Sequence, residues 1–242
     1  MKTKIPIVFI GEARVAKEFY EGISSDMSSF CLYILEPYDS SLNQILTEMR
    51  RGSPELILGP GSTGCTLAHA QAQLIIKNHY EGELGDENQM YGYVFEGDAK
   101  ETRYGHAKFI NFDKNFGAGK HNFRIIQLGG LKSTSGRQGQ KINWTSSLRN
   151  YFLSNIMHDL KEDACQHFMS SLKVVPGWIG GTHAYYIKLE AILLFEQQPP
   201  GFLAGTDDYY KSISLNLNWV GRSRQNLFIQ SDLASLTDSL GR

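Results

Sequence analysis

The chain has 242 residues, of which 41% are hydrophobic and 20% charged, and its formal net charge is -1 at pH 7. This composition is typical of a globular protein with a sizeable core, in one large domain or two small ones. It contains neither an apolar run of membrane-spanning length nor an N-terminal apolar segment followed by a cleavage site. We therefore expect a cytoplasmic protein with no membrane partner.

The first third of the chain alternates between strand and helix patterns. Residues 5–10 form an apolar run that predicts a strand, and residues 16–23 carry apolar side chains at the spacing of an amphipathic helix. Residues 30–35 predict a second strand and residues 42–49 a second helix. Short connections between alternating strands and helices favour a parallel sheet with right-handed crossovers.

A glycine-rich turn follows a third predicted strand at residues 56–58. Its glycines have the spacing G-x-G-x-x-G and precede a helical pattern. Glycines let the backbone approach an anion closely, and the free amides at a helix start favour negative charge. The turn therefore predicts either a phosphate-binding site or a strand-to-helix connection that binds nothing. Its candidate ligand-binding residues are Gly59, Gly61, Ser62, Thr63 and Gly64.

The loops that follow the parallel strands are expected to meet at one edge of the sheet, where ligands bind. Gly11 follows the first strand and is a candidate ligand-binding residue, as is Arg14, which can clamp a phosphate. Glu12 and Glu36 are candidate catalytic residues, as a base or as metal ligands. The alternative is that Glu12 and Arg14 are ordinary residues of a first helical turn.

After a polar, turn-rich stretch at residues 82–89, strand patterns dominate. We predict a fold of the α/β class with a Rossmann-like domain in residues 1–85, formed by a three-stranded parallel βαβαβα unit. A β-rich, largely antiparallel α+β domain with one long helix is predicted in residues 86–242. Its predicted elements are strands at residues 91–95, 107–112, 123–128, 185–195 and 213–219 and a helix at residues 148–172.

Positive charge is concentrated between residues 100 and 149, where ten basic residues outnumber two acidic ones. Ten minus two gives +8 in a chain whose total is -1. This polarity is expected of a surface that meets DNA, RNA or a nucleotide phosphate, although a basic face that meets only solvent is the alternative. The candidate nucleic-acid-binding residues are Lys132, Arg137 and Lys141.

An acidic group beside this stretch fits a metal-dependent nuclease. Asp98 and Lys100 follow the strand predicted at residues 91–95, and Asp86 and Glu96 are close in sequence. Two carboxylates can hold Mg²⁺ while a lysine steadies the attacking water. Asp86 and Asp98 are therefore candidate metal ligands, Asp98 and Lys100 are candidate catalytic residues, and Mg²⁺ is the expected cofactor.

The cysteines and histidines show no recognised metal-binding spacing. Cys31, Cys65 and Cys165 are odd in number and isolated from one another, so we expect them to be reduced and structural. The seven histidines are expected to lie on the surface or in the core.

Two short glycine-rich segments resemble ATP-NAD-kinase-like proteins. Residues 58–63, LGPGST, are similar to the GPGST-type turn of that family, and residues 129–140 are similar to a later loop rich in glycine, arginine and glutamine. The resemblance implies an α/β domain followed by a β-rich domain, with a nucleotide bound between them. It also implies that the ligand phosphate lies on the turn from Gly59 to Thr63 and near Arg137.

Three functions remain open from the sequence. The first is a protein that binds a phosphorylated ligand, foremost a nucleotide, at the glycine-rich turn, as a phosphate-transfer or hydrolytic enzyme. The second is a nucleic-acid-binding protein, with Mg²⁺-dependent nuclease activity, that uses residues 100–149. The third is a non-enzymatic viral or assembly protein whose C-terminal strands pair between subunits of a homo-oligomer.

Overall fold

The computed structural model describes the following residues: 4–23, 29–36, 60–83, 89–101, 105–117, 121–130, 174–178, 181–197, 210, 213–214, 219–223 and 226–230. Their strands are β1 (Ile5–Ile10), β2 (Phe30–Leu35), β3 (Tyr91–Glu96), β4 (Ala99–Glu101), β5 (Ile125–Gln127), β6 (Gly129–Gly130), β7 (Val174–Pro176), β8 (Ala184–Lys188), β9 (Val220–Ser223) and β10 (Phe228–Gln230). Their α-helices are α1 (Ala13–Ile23), α2 (Pro60–His79), α3 (Gly105–Phe112) and α4 (Leu189–Gln197).

The N-terminal elements follow the sequence pattern. β1 is a buried apolar strand, and α1 places its apolar stripe against one face of the sheet, with Ala16 fully buried. β2 runs parallel to β1, with Ile5 opposite Phe30. The strand, helix and parallel strand predicted in this part of the chain are therefore present.

The third parallel strand does not lie where the predicted Rossmann-like unit requires it. α2 begins at Pro60, and proline suits the first helical position because its missing N–H is not needed there. After α2, β3 pairs parallel with β1 on the side away from β2. The prediction of a βαβαβα unit within residues 1–85 is therefore wrong, because the third parallel strand, β3, begins only at Tyr91. The strand predicted at residues 56–58 lies outside the described residues.

The rest of the main sheet is mixed. The order across its seven strands is β2-β1-β3-β8-β5-β9-β7. β8 is antiparallel to both β3 and β5, β5 is parallel to β9, and β9 is antiparallel to β7. The predicted largely antiparallel C-terminal part is wrong, because these strands extend the sheet of β1 to β3 and include a parallel pair. The predicted boundary at residue 85 falls outside the described residues, and the division into two domains stays a prediction.

Two segments predicted as strands are partly or wholly helical. α3 covers residues 107–112 and continues into a π-helical turn, Asp113–Gly117. Phe109 and Phe112 are both fully buried, as side chains three residues apart on a helix are, whereas strand alternation would separate them. Residues 185–195 divide between β8 and α4.

Two further predicted elements fall mainly outside the described residues. The helix predicted at residues 148–172 lies wholly outside them. Residues 213–214 are helical, whereas a strand was expected there, and residues 215–218 are not among those described.

A second, three-stranded sheet begins just past β3. β10 pairs antiparallel with β4 and parallel with β6. β4 starts at Ala99, so only Gly97 and Asp98 separate it from the end of β3. This two-residue turn therefore joins the two sheets.

The main sheet separates two hydrophobic clusters. One contains side chains of α2 and α4, and the other contains side chains of α1 and α3. Tyr185 belongs to the first cluster and its neighbour Tyr186 to the second, because successive strand residues point to opposite faces. The sheet is thus covered on both sides. Among the described helices, none is long and apolar enough to cross a membrane.

Candidate metal centre

The carboxyl ends of the three parallel strands meet at one edge of the main sheet. The Gly11 amide donates to the Leu35 carbonyl at 3.0 Å, and the Gly97 amide donates to the Ile10 carbonyl at 2.8 Å. A Cβ added to Gly11 would lie 3.0 Å from the Cα of Gly97, so the close approach of these two turns depends on glycine. Ligands bind at this edge in open parallel sheets.

α2 contributes two side chains on the same face of the helix, Cys65 and His69. His69 is 1% exposed, and its two ring nitrogens are both occupied. Its Nε2 lies 3.0 Å from Oε1 of Glu96, the last residue of β3, and its Nδ1 lies 3.0 Å from the hydroxyl of Tyr185. These two contacts hold the buried ring in one orientation.

The segment before β8 contributes Thr182 and His183. The backbone brings them to β3, since the Glu96 amide donates to the His183 carbonyl at 2.9 Å. His183 Nδ1 lies 3.2 Å from Asp98 Oδ1 and 3.6 Å from Glu96 Oε2, and the Thr182 hydroxyl donates to Glu96 Oε1. The other oxygen of Asp98 accepts from Gln230 Nε2 at 3.1 Å. Both carboxylates are therefore held by several contacts.

Two groups of these side chains can hold a metal ion. Within each group, one ligand atom from every side chain lies within 4.8 Å of the others. Thiolate, imidazole and carboxylate are the usual protein ligands of Zn²⁺ and related metals. The first group is Cys65, His69 and Glu96, and the second is Glu96, Asp98 and His183.

The charges in this cluster depend strongly on one another. Burial disfavours the imidazolium of His69, but the neighbouring Cys65 and Glu96 outweigh burial and raise the pKa of His69 to about 10. Burial opposes the charge of His183 in the same way, and Asp98 and Glu96 raise the pKa of His183 to about 10. Burial alone would raise the pKa of Glu96, yet the two histidines hold it well below its usual range. The cluster thus stabilises the negative charge of Glu96 and the positive charges of His69 and His183.

Asp98 is the sequence-predicted site residue that the structure brings into this cluster. Lys100, predicted to act with it, is exposed on β4, opposite Ile229 of β10. The second metal ligand predicted from the sequence, Asp86, lies outside the described residues. Glu96 and His183 instead accompany Asp98.

The residues predicted at the edge of the sheet have separate positions. Glu12 is exposed just before α1, and its carbonyl accepts from the Ala16 amide at 2.9 Å. Arg14 is exposed and pairs with Glu18 one turn along the helix, at 3.4 Å. Glu36 is exposed just past β2. Their predicted roles in catalysis and phosphate binding stay predictions.

The predicted phosphate-binding turn is largely helical. Gly61, Ser62, Thr63 and Gly64 lie in the first turns of α2, while Gly59 lies outside the described residues. Cys65 follows them directly, so the start of α2 adjoins the candidate metal centre. The predicted nucleic-acid-binding residues Lys132, Arg137 and Lys141 also lie outside the described residues.

Four residues of the cluster were not predicted from the sequence: Cys65, His69, Thr182 and His183. Cys65 and His69 are four residues apart, a spacing that places two ligands on one face of a helix, so this signal was present. No local signal marks His183, which is 85 residues from its partner Asp98. Cysteines were expected to be structural and histidines to lie on the surface or in the core, whereas Cys65, His69 and His183 lie within reach of carboxylates.

Comparison of the chain with models of protein families and with curated proteins found no match.

Proposed function

We propose that this chain is a metal-dependent hydrolase that acts on phosphorylated substrates, foremost nucleotides. The observation that carries the proposal is the group of candidate metal ligands at the carboxyl edge of the parallel strands. These side chains come from α2, the end of β3 and the segment before β8, and they converge only in the folded chain. Ligands and catalytic groups collect at this edge in open parallel sheets.

The ligand types favour a transition metal over Mg²⁺. Mg²⁺ prefers an octahedral shell of oxygen atoms, whereas imidazole suits Zn²⁺ or Fe²⁺ and thiolate suits Zn²⁺. The centre offers two imidazoles and a thiol beside two carboxylates. We therefore propose Zn²⁺ as the working ion in place of the Mg²⁺ expected from Asp98 and Lys100.

The beginning of α2 supports a phosphorylated substrate. The first amides of a helix have no partner within the helix, and the helix dipole adds positive potential there. Gly61 and Gly64 lie in the first turns of α2, and Cys65 follows at once. A phosphate held by these amides would lie beside the metal ligands.

The proposed chemistry is hydrolysis of a phosphate ester or anhydride. A divalent cation held by Glu96 and its neighbouring ligands would lower the pKa of a water molecule and so supply hydroxide near neutral pH. In the hydrolysis, a bond from the water oxygen to phosphorus would replace the bond to the leaving oxygen, which would take up a proton from solvent. The side chains hold the cation and limit its access to bulk water.

The proposal is tested with the chain stripped of metal by a chelator. It is then supplied separately with Zn²⁺, Mn²⁺ or Mg²⁺ and incubated with nucleotides, aryl phosphate mono- and diesters, and short DNA and RNA. We expect release of phosphate or nucleotide with Zn²⁺ only. Glu96→Gln should reduce the rate at least about 100-fold, because it removes charge from the metal ligand common to both groups.

Glu18→Gln is the matched control, because it makes the same chemical change on the exposed face of α1. It should retain the wild-type rate. Absence of hydrolysis from every substrate with every metal would reject the proposal. Cleavage of DNA or RNA alone would assign a nuclease, and Lys132→Ala, Arg137→Ala and Lys141→Ala should then weaken the salt-dependent binding.

A second candidate function uses Cys65 as a nucleophile. The thiol of Cys65, the imidazole of His69 and the carboxylate of Glu96 have ligand atoms within 4.8 Å of one another, and a neighbouring imidazole can activate a thiol as a nucleophile. This enzyme would work in the presence of chelator. It would be inactivated by iodoacetamide and by Cys65→Ser. The metal-dependent hydrolase, in contrast, loses its activity in chelator and regains it when metal is restored.

A further inference from the structure

Glu96 is common to both groups of candidate ligands, and its two carboxylate oxygens face different histidines. Oε1 lies 3.0 Å from His69 Nε2, whereas Oε2 lies 3.6 Å from His183 Nδ1. We call Cys65 and His69 the thiol half-site, and Asp98 and His183 the carboxylate half-site. Glu96 thus lies between two half-sites that different elements supply.

The spacing in each half-site fits an ion of its own. Two ligand atoms that are each about 2.0 Å from one tetrahedral ion are about 3.3 Å apart. His69 Nε2 and Glu96 Oε1 are separated by 3.0 Å. His183 Nδ1 is 3.2 Å from Asp98 Oδ1 and 3.6 Å from Glu96 Oε2. Ligand atoms at these separations would need to move little to bind one ion in each half-site.

Separate hydrogen bonds brace the two half-sites. The Tyr185 hydroxyl of β8 holds His69 at Nδ1, and Gln230 of β10 holds Asp98 at Oδ2. Such outer contacts orient metal ligands in proteins. Because they come from different strands, one half-site can keep its geometry when the other is changed.

His183 is held at the carboxylate half-site. Its side chain is 7% exposed, and its Nδ1 lies within 3.6 Å of both carboxylates. A buried imidazole between two carboxylates is a suitable ligand for a divalent cation.

We infer that the centre is binuclear, with Glu96 bridging two divalent cations. The thiol half-site holds one cation and the carboxylate half-site holds the other. Paired cations of this kind stabilise both the attacking and the leaving oxygen in phosphate hydrolysis. The inference rests on the metal centre of the proposed function.

The test counts metal ions per chain. The stripped protein is loaded with Zn²⁺, freed of excess ion by gel filtration and measured by elemental analysis. We expect two zinc ions per wild-type chain and two for the control Glu18→Gln. His69→Gln and His183→Gln should each retain one ion. Circular dichroism checks that each variant is folded, and Cys65→Ser and Asp98→Asn replace any histidine variant that is not.

Co²⁺ distinguishes the two half-sites. A thiolate bound to Co²⁺ gives a charge-transfer absorption in the near ultraviolet, which imidazole and carboxylate ligands do not produce. This band should persist in His183→Gln and disappear in Cys65→Ser.

Each outcome decides between the two proposals. One ion in the wild-type chain would overturn the binuclear inference and leave a metal-dependent hydrolase in place. A folded wild-type chain that binds no ion would overturn both. If every variant of a half-site residue lost both ions together, the model of independent half-sites bridged by Glu96 would be rejected.

Discussion

Thr182 shows how a single residue can control the candidate metal centre. It is 5% exposed, and its hydroxyl donates to Glu96 Oε1, the oxygen that also faces His69. The contact fixes the rotation of the carboxylate, and with it the direction of both oxygens. Thr182 would therefore position Glu96 without binding the metal itself.

Thr182→Val should weaken zinc binding while leaving the fold intact. Valine has nearly the same shape but cannot donate a hydrogen bond, and loss of such an outer contact lowers metal affinity by about 10- to 100-fold. Competition with a chromophoric chelator measures the change. Thr182→Ser restores the hydroxyl and should restore most of the affinity. Equal affinities in the valine variant and the wild type would contradict a positioning role.

At the scale of elements, the π-helical turn after α3 is tied to β3 through one carboxylate. The hydroxyls of Tyr91 and Tyr93 donate to Asp113 Oδ1 at 2.9 Å and 2.7 Å. Burial, together with the charge of Asp113, raises the pKa of Tyr93 well above its usual range, so the phenol remains a donor. This contact joins a helical turn to β3, the strand that ends at Glu96.

Asp113→Ala should lower the free energy of unfolding by about 2 to 4 kcal/mol, because two buried hydroxyls lose their acceptor. Urea denaturation measures the loss. The variant that combines Asp113→Ala with Tyr91→Phe and Tyr93→Phe removes the donors as well. It should be less destabilised than Asp113→Ala alone, and a greater loss would show that the unpaired hydroxyls are not the cause.

A histidine before β5 should make stability sensitive to acid. His121 is half-buried, and its Nε2 donates to the Phe116 carbonyl at 2.7 Å. Burial lowers the pKa of His121 from 6.5, and the nearby charge of Lys188 acts in the same direction. The unfolded chain therefore binds a proton near pH 6.5 that the folded chain does not, and stability falls as the pH falls below this value.

His121→Gln should make this loss of stability shallower between about pH 7 and 5, because it removes the proton-binding difference that linkage requires. The glutamine amide can still donate to the Phe116 carbonyl. Unfolding free energies of wild type and variant, measured across this pH range, give the comparison. Parallel curves for the two proteins would exclude His121 as a source of acid sensitivity.

At the scale of the whole molecule, metal binding should stabilise the fold. The proposed ligands come from α2, the turn after β3 and the segment before β8, so an ion would link parts of the chain that are far apart in sequence. A ligand at 100 times its Kd stabilises the native state by about 2.7 kcal/mol.

For a domain of this size, that free energy corresponds to a rise in Tm of about 5 to 10 °C. Thermal unfolding of the stripped chain, with and without added Zn²⁺, measures it. Glu96→Gln should reduce the rise, whereas Glu18→Gln should preserve it. An unchanged Tm in the wild type would contradict specific binding to the folded chain.

The elements that were predicted correctly depend on contacts between residues close in sequence. Those that were predicted wrongly depend on contacts between distant residues. β1, α1 and β2 were predicted because each has a periodicity that its own residues determine, and each packs against a near neighbour in the chain. Residues 107–112 were assigned wrongly because a short apolar run fits a strand or a buried helix equally well. The Rossmann-like unit in residues 1–85 was also wrong, because β3, which pairs with β1, comes later in the chain, and strand order depends on pairing across long loops.

The residues of the candidate metal centre also differ in how far the sequence could predict them. Asp98 was identified because it lies close to the end of a predicted strand, and the helix spacing of Cys65 and His69 is visible in the sequence. Which acid meets which histidine was decided by β8, whose antiparallel pairing with β3 brings His183 to Glu96. Local periodicity, set by backbone geometry, determined the elements of the opening segment. Strand order and ligand convergence arise from burial of apolar surface between distant segments, so only the tertiary structure decided them.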